Sequence, residues 1–510
     1  MIMLLSAFLC LIIILTMAWP LVGELPYLLW NISNLHDYAT QRLKLLGGTT
    51  VNKCPMFLNS CDYIVTSDPM NARHILIRNF ANYEKGEDLR VIMEGTLGEG
   101  IFNANGESWR FQRQLIHSLI NNKEFGDLVM QTLRVKMQGT LFRVLDDYAS
   151  GRRSGKILDM QDVAKNLVFD NICSLVFGFD PCSLSHVGSD SKSLSSSELH
   201  ALLLGKAFDE IEEAVIYRHV VPMWVWKFQK RLHIGVEKKV AKYCKILDEF
   251  LYASIEMKKQ ELSTLGNNIV NSTTERRDLL SHLLVGEEKF SNKFLRDVAI
   301  SLIVAGRDTV SSALTWLLWL VATHPDVEKR VLEEIKQVMT TTTTSSSGGL
   351  LSEDELNKLI FLHATICETL RLYPPFPIEH KCAVEADVLP TGHCVRKGTK
   401  ILVSIYSMGR MEEIWGDNCM EFKPERWISE QGSIIYVPSY KFMAFISGPR
   451  TCLGKTMAFM QLKSMASAIL WNYKLDMVED HVVKPTPSMI LSMKHGLKMR
   501  VSKRASNLVI

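Results

Sequence analysis

Phe445-Ile446-Ser447-Gly448-Pro449-Arg450-Thr451-Cys452-Leu453-Gly454 decides the reading of this 510-residue chain. One cysteine stands between two glycines, with a proline and an arginine just ahead of it. Glycine lacks a Cβ, so the chain can pass close to a flat group without a clash. The arginine can neutralise carboxylates. A mostly apolar run, Met457 to Met465, follows. If a helix starts at Cys452, its free N–H groups lower the thiol pKa and favour the thiolate that a metal needs. The layout suits a backbone laid against a planar cofactor with one sulfur aimed at its metal. The competing reading is a buried structural cysteine, which is what most unpaired cysteines are.

Three further motifs lie upstream. Trp109-Arg110-Phe111-Gln112-Arg113 places Trp109 and Arg113 four apart, on one face of a helix. Ala305-Gly306-Arg307-Asp308-Thr309 sits inside a stripe of Phe294, Val298, Leu302, Ala305 and Thr309, spaced by threes and fours as on one helix face. Glu368-Thr369-Leu370-Arg371 is followed by Leu372-Tyr373-Pro374-Pro375 and later by Pro424-Glu425-Arg426-Trp427.

In this order, and from about residue 20 to about 503, the four motifs resemble those of the cytochrome P450 family. The decapeptide fits its Phe-x-x-Gly-x-Arg-x-Cys-x-Gly signature at every fixed position. The resemblance implies a mainly α fold, a triangular helical prism with a small β-rich region. It implies haem b, with Cys452 as the axial thiolate of the iron, the ligand type that favours O–O cleavage. Trp109, Arg113, Arg450 and, as a lysine where the family often places arginine, Lys381 would meet the haem propionates. Phe445, Gly454 and Ala305 would line the cofactor. Glu368, Arg371 and Arg426 would form a buried ion network.

On the same resemblance, Thr309 supplies a hydroxyl over the haem and Asp308 passes it protons, a general-acid relay. Gly306 would let the helix bulge and leave room for dioxygen. The alternative for Thr309 is a helix hydroxyl bonding its own i−4 carbonyl. The substrate pocket is expected from Val91 to Asn105, the stripe, Phe376 to Glu379 and Ser488 to Ser492. These are largely apolar, with Ile92, Met93, Ile101 and Phe102 early in the chain, and suit a hydrophobic substrate.

Composition is consistent with one large domain. The chain is 47% hydrophobic with a formal charge of +3, so it can bury a large core and nothing suggests nucleic acid. Eleven cysteines without a Cys-x-x-Cys pair argue against a disulfide framework or a zinc site. Residues 1–18 carry no charge and are dominated by Leu, Ile and Met, a marginal length for a membrane-spanning anchor. Trp19 adds an interfacial residue. The rival, a cleaved signal peptide, lacks a basic n-region and a clear cleavage site. Residues 19–30 resemble a proline-bearing hinge, and 31–510 would be the catalytic domain. The organisation implies a single-pass protein of the endoplasmic reticulum membrane facing the cytosol. Val220 to Phe228 mixes tryptophans with lysine, as a second lipid contact or as ordinary packing. Ser183 to Ser197 and Thr340 to Gly349 read as surface loops. Pro325 ends one helix and opens the next, and Ser352 with Glu355 forms a capping box.

Gly98 to Gly106, Trp226 to Lys230 and Asp387 to His393 resemble the plant fatty-acid and alkane hydroxylase clan, with its mid-chain alkane hydroxylases most similar. That implies hydroxylation of a long alkyl chain, with NADPH electrons from a cytochrome P450 reductase. Phenol coupling in alkaloid biosynthesis is the alternative within the same group. A non-catalytic haem-binding protein and a P450-fold isomerase or dehydratase are the other readings. The latter group typically lacks the acid–alcohol pair formed here by Asp308 and Thr309.

Overall fold

The computed structural model describes residues 24–52, 62–152, 157–188, 196–265, 278–285, 290–341 and 349–504. The anchor expected at 1–18 lies outside them, as do 189–195 and 342–348 of the two expected loops.

A helix at Asn292–Thr323 runs through the middle of the molecule. Its composition explains its position. A helix apolar on nearly all sides can satisfy its backbone internally and is driven into the core. Ser291 caps it, accepting from the Phe294 N–H at 3.2 Å. It ends before Pro325, which opens the Pro325–Thr341 helix as the sequence predicts. Around it pack the helices Met160–Phe177, Gly235–Leu265, Ile360–Leu372 and Lys455–Asn472. Among the described residues it is the one helix long and apolar enough to cross a membrane, and it is mostly buried inside the protein.

The strands form a small region to one side. β1 (Thr49–Asn52), β2 (Tyr63–Thr66), β8 (Lys400–Ser404), β5 (Ile378–Ala383) and β3 (Tyr83–Glu84) make a five-stranded sheet in that order. β2 and β8 run parallel and the other pairs antiparallel. β4 (Ile157–Asp159), β10 (Lys498–Lys503) and β9 (Tyr473–Met477) form a second sheet, and β6 (Asp387–Val388) with β7 (Cys394–Val395) a hairpin. The mainly α fold with a small β region is the one expected. The capping box at Ser352 is complete, with both reciprocal hydrogen bonds made.

Several local expectations are corrected. Gly306 does not open a bulge: the helix is regularly α-helical through Thr323. A Cβ there would lie 2.7 Å from Ile172 Cδ1 on the neighbouring helix, so this glycine permits close helix packing. Ser183 does not begin a loose loop. Its N–H and hydroxyl and the Leu184 N–H all donate to the Asp170 carboxylate, at 2.9, 2.5 and 2.9 Å. The hinge region is helical over Leu25–Trp30. Just before it, Glu24 accepts from both Arg42 Nη atoms, which fixes its approach to the domain.

The ion network is present and buried. Arg371 donates through Nε and Nη2 to the two oxygens of Glu368, each at 2.8 Å. Arg426 Nε, Trp427 Nε1 and the Lys423 N–H also donate to Glu368, at 3.3, 2.9 and 3.0 Å. The remaining guanidinium hydrogens go to carbonyls of Gly409, Cys419 and Glu421 from Arg371, and of Trp415 and Asn418 from Arg426. Removing the carboxylate leaves two guanidiniums without their charge partner. Glu368→Ala is therefore expected to destabilise the protein by about 3–5 kcal/mol, read as a lowered denaturant midpoint. A midpoint equal to that of the unaltered protein would show that the network carries no stability.

Candidate haem site

The cysteine loop is shaped by its backbone. Gly448 has φ +72° and opens a single 3-10 turn, Gly448–Arg450. A Cβ at Gly448 would run into the Leu76 carbonyl oxygen. The chain then turns back so that the Cys452 N–H donates to the Phe445 carbonyl at 2.9 Å. Ile446 holds φ +59°, a conformation that is strained for a β-branched residue. The helix begins at Lys455, not at Cys452, with Gly454 at its N-cap. The correction has a local cause: the loop captures the Cys452 amide before helical dihedrals begin. The sulfur still meets an amide, that of Gly454.

Cys452 is accessible to solvent. Its thiol is nonetheless crowded enough that desolvation raises its pKa, while the Gly454 amide and the charges of Arg113 and Lys455 pull it down. The Phe445 ring packs on Phe459, 5.3 Å between centroids, behind the loop.

Trp109 and Arg113 share one face of the helix Gly106–Ile120, with the guanidinium 5.9 Å from the indole. Arg113 Nη2 donates to the Thr451 carbonyl at 2.8 Å, which ties this helix to the cysteine loop. Arg450 lies over the opposite part of the same cluster, 4.6 Å from the Trp109 ring. It donates to the Ala104 carbonyl at 2.7 Å. Phe80 packs 5.7 Å from Trp109, and Lys381 Nζ lies 5.4 Å from the Phe80 ring. The four predicted residues Trp109, Arg113, Arg450 and Lys381 thus converge around one aromatic pair.

The cations are only partly matched. Glu379 is the buried carboxylate beside them, and Lys85 already donates to it at 2.8 Å. Lys381 stands 3.6 Å from the same oxygen, fully buried, and its Nζ has no hydrogen-bond partner. Burial lowers its pKa to about 7, against the opposing pull of Glu379. Arg450 Nε is likewise buried without a partner, and burial lowers the Arg450 pKa to about 10. Buried unpaired cations are costly, and a dianionic group placed among them removes the cost. A flat cofactor with two carboxylates and a metal facing Cys452 fits these residues. Phe80 and Lys85 were not legible as site residues, because no local motif marks them, and Glu379 was expected only as part of the pocket lining.

Along the central helix, Leu302, Val304, Ala305, Gly306 and Thr309 keep some access while Ile303, Arg307, Asp308 and Val310 are buried. Leu302, Ala305, Gly306 and Thr309 of this set share one face of an otherwise buried helix. Thr309 Oγ1 donates to the Ala305 carbonyl at 2.6 Å, the back-bonded alternative. Asp308 points elsewhere. It is buried and pairs with Arg307. Of the expected pocket segment, Ile92 and Met93 join the core cluster and Phe102 is exposed.

The cytochrome P450 family model matches residues 17–501. Alkane hydroxylase MAH1 of Arabidopsis thaliana is 38% identical over 495 residues, 95% of this chain and 93% of that protein. Noroxomaritidine synthase of Narcissus aff. pseudonarcissus is 38% identical over 490 residues, 96% of this chain and 91% of the relative. Cytochrome P450 86B1 of Arabidopsis thaliana is 38% identical over 498 residues, 96% and 85% of the two chains. With the site geometry in place, this chain belongs to the cytochrome P450 family and is a haem b-dependent monooxygenase.

Proposed function

We propose that the enzyme hydroxylates a long-chain alkane or fatty acid, using dioxygen and NADPH electrons delivered by a cytochrome P450 reductase. The observation that carries the substrate class is the 38% identity to an alkane hydroxylase over 95% of the chain. The apolar, partly accessible face at Leu302 and Ala305 supports it. Phenol coupling stands beside it on a specific observation, since noroxomaritidine synthase matches at the same identity. Incubating the reconstituted enzyme with alkanes, fatty acids and phenolic amines separates them: oxygen appears in the product of a hydroxylation and not in that of a coupling.

In this reading Cys452 ligates the iron, and Arg113, Arg450, Lys381 and the Trp109 indole hold the propionates, with Phe445, Gly454 and Ala305 against the macrocycle. Bound there, the haem supplies the oxidation, and a thiolate ligand favours O–O cleavage. The chain's own part is binding, orientation and proton control. The Gly454 amide and Arg113 act towards the thiolate, against the desolvation that raises the Cys452 pKa. Thr309 can release the Ala305 carbonyl and turn its hydroxyl to the substrate side, and Asp308 supplies protons as the acid of the relay.

The membrane reading places residues 1–18 as a single-pass anchor in the endoplasmic reticulum, with the domain in the cytosol. The helix Met223–Leu232 divides its tryptophans. Trp226 is buried against the Arg218 guanidinium at 5.0 Å, while Trp224 is 60% exposed beside exposed Phe228 and Leu232. Lys227, Lys230 and Arg231 belong to the same helix. Trp30, 88% exposed, offers a further apolar anchor near the chain start.

Three outcomes follow. Cys452→Ser should abolish the red-shifted absorbance of the reduced carbon monoxide complex, and a surviving band would remove Cys452 as ligand. Thr309→Ala should retain haem but divert NADPH electrons to peroxide, and unchanged coupling to product would take Thr309 out of the relay. The third concerns Lys381, whose pKa lies at about 7 with Glu379 as its neighbouring carboxylate. An anion stabilises the protonated form and raises that value. Haem capture must then take up a proton above pH 7, so affinity falls as pH rises, by at most about tenfold per unit. Below pH 7 the lysine is already charged and this slope vanishes. Lys381→Arg, charged throughout, should remove the slope in haem-transfer titrations. A slope unchanged in that variant would exclude Lys381 from the propionate site.

A further inference from the structure

Behind the central helix lies a cluster of ionisable side chains. Arg307 and Asp308 come from that helix, Asp209 and Glu212 from Ser196–Val220, and Lys165 from Met160–Phe177. Arg307 Nη1 contacts Asp308 Oδ1 and lies 3.4 Å from Asp209 Oδ1. Lys165 Nζ donates to Asp209 Oδ2 at 2.9 Å. The Arg307 guanidinium rests 5.0 Å from the Phe208 ring and 5.9 Å from Phe169. Three carboxyls here face two cations, in a setting where Glu212, Arg307 and Asp308 are all buried. The cluster is neutral only if one carboxyl holds a proton.

The geometry says which. Asp308 gives Oδ1 to Arg307, and its buried Oδ2 has no donor. Glu212 lies within hydrogen-bonding reach of Asp308, and its Oε1 is also buried without a donor. Two carboxylates cannot hydrogen-bond each other unless a proton sits between them. Asp308 touches the guanidinium and is the one kept ionised. We propose that Glu212 is a neutral acid at neutral pH, donates its proton to Asp308 Oδ2, and acts with it as one proton-holding pair, Glu212 being a positioning residue.

Burial and the neighbouring Asp308 and Asp209 raise the Glu212 pKa well above the ordinary carboxyl range, in agreement with this arrangement. Glu213, next in the chain, is also raised, by burial and by Glu210. Proton release is balanced locally. The O–H bond of Glu212 breaks, a new one forms at Asp308 Oδ2, and Glu212 is left as the carboxylate. Asp209, three residues away on the same helix and with a side chain 41% exposed, is the side from which solvent restores the proton. The inference rests on the reading of Asp308 as the acid of the relay.

Infrared difference spectra of the holoprotein in H2O and D2O test the pair without turnover. A carboxylic C=O band that shifts with deuterium is expected at neutral pH and should be missing in Glu212→Gln, which keeps the shape and one donor. Glu212→Leu serves as the second variant, and haem absorbance reports folding in both. A band absent from the unaltered protein, or unchanged in both variants, overturns the proposal. The pH profile of NADPH consumption with the reductase, without added substrate, is the second readout. Its basic limb should move by about one unit or more in Glu212→Gln, and an unmoved limb overturns the positioning role. Asp308→Asn separates the two readings. If it leaves the profile unmoved while the infrared band still depends on Glu212, the relay fails and the shared proton stands.

Discussion

Glu368 is the point on which the cofactor side of the molecule hangs. Its carboxylate is fully buried and receives five hydrogen bonds from three segments: Arg371 on its own helix, Lys423, and the Arg426–Trp427 turn. A buried ion pair contributes little by itself, because desolvation offsets the attraction. Its value lies in direction. Arg371 and Arg426 carry the charge outward to five carbonyls between Gly409 and Glu421, in a stretch with little regular structure. That stretch has few ladder hydrogen bonds of its own, so the guanidiniums act as its internal scaffold. It leads directly into the segment that presents Cys452.

The second constraint is electrostatic and opposite in character. At Glu368 every charge is matched, whereas around Trp109 and Phe80 cations outnumber carboxylates and two nitrogens remain without partners. Both places are buried, so the difference is not one of solvent. A satisfied network holds shape, and an unsatisfied one holds a place for a missing anion. The family's cofactor would bring two carboxylates to this place.

The legible part of this molecule was the part whose chemistry is local. Cys452 with its glycines, Trp109 four residues from Arg113, and Glu368 three from Arg371 can be read because a short spacing fixes a shared face or a tight turn. The capping box at Ser352 and the stop at Pro325 belong to the same class. What escaped is long-range. Glu379 acts because Lys85, nearly three hundred residues earlier, crosses to it. Gly306 was read for a bulge, but its neighbour Ile172 decides its use. The start of the Lys455 helix was misplaced by three residues because a tertiary turn, the Cys452 amide bonding to Phe445, outcompeted helix nucleation.

The two faces of the central helix then divide the work. Its accessible face, at Leu302, Ala305 and Thr309, borders the space where substrate is chosen, and its residues there are small or apolar. Its buried face, at Arg307 and Asp308, meets the Ser196–Val220 helix through charges. That second helix is tied at its far end by the bidentate Arg218–Glu237 pair, whose Nη1 also holds the Ile92 carbonyl of the Gly86–Leu97 helix. One helix therefore touches both the charged cluster at Arg307 and Asp308 and the Gly86–Leu97 helix at Ile92, which packs in the core. In the proposed reading, any substrate contact on the Gly86–Leu97 helix and proton supply at Glu212 would meet on this one helix.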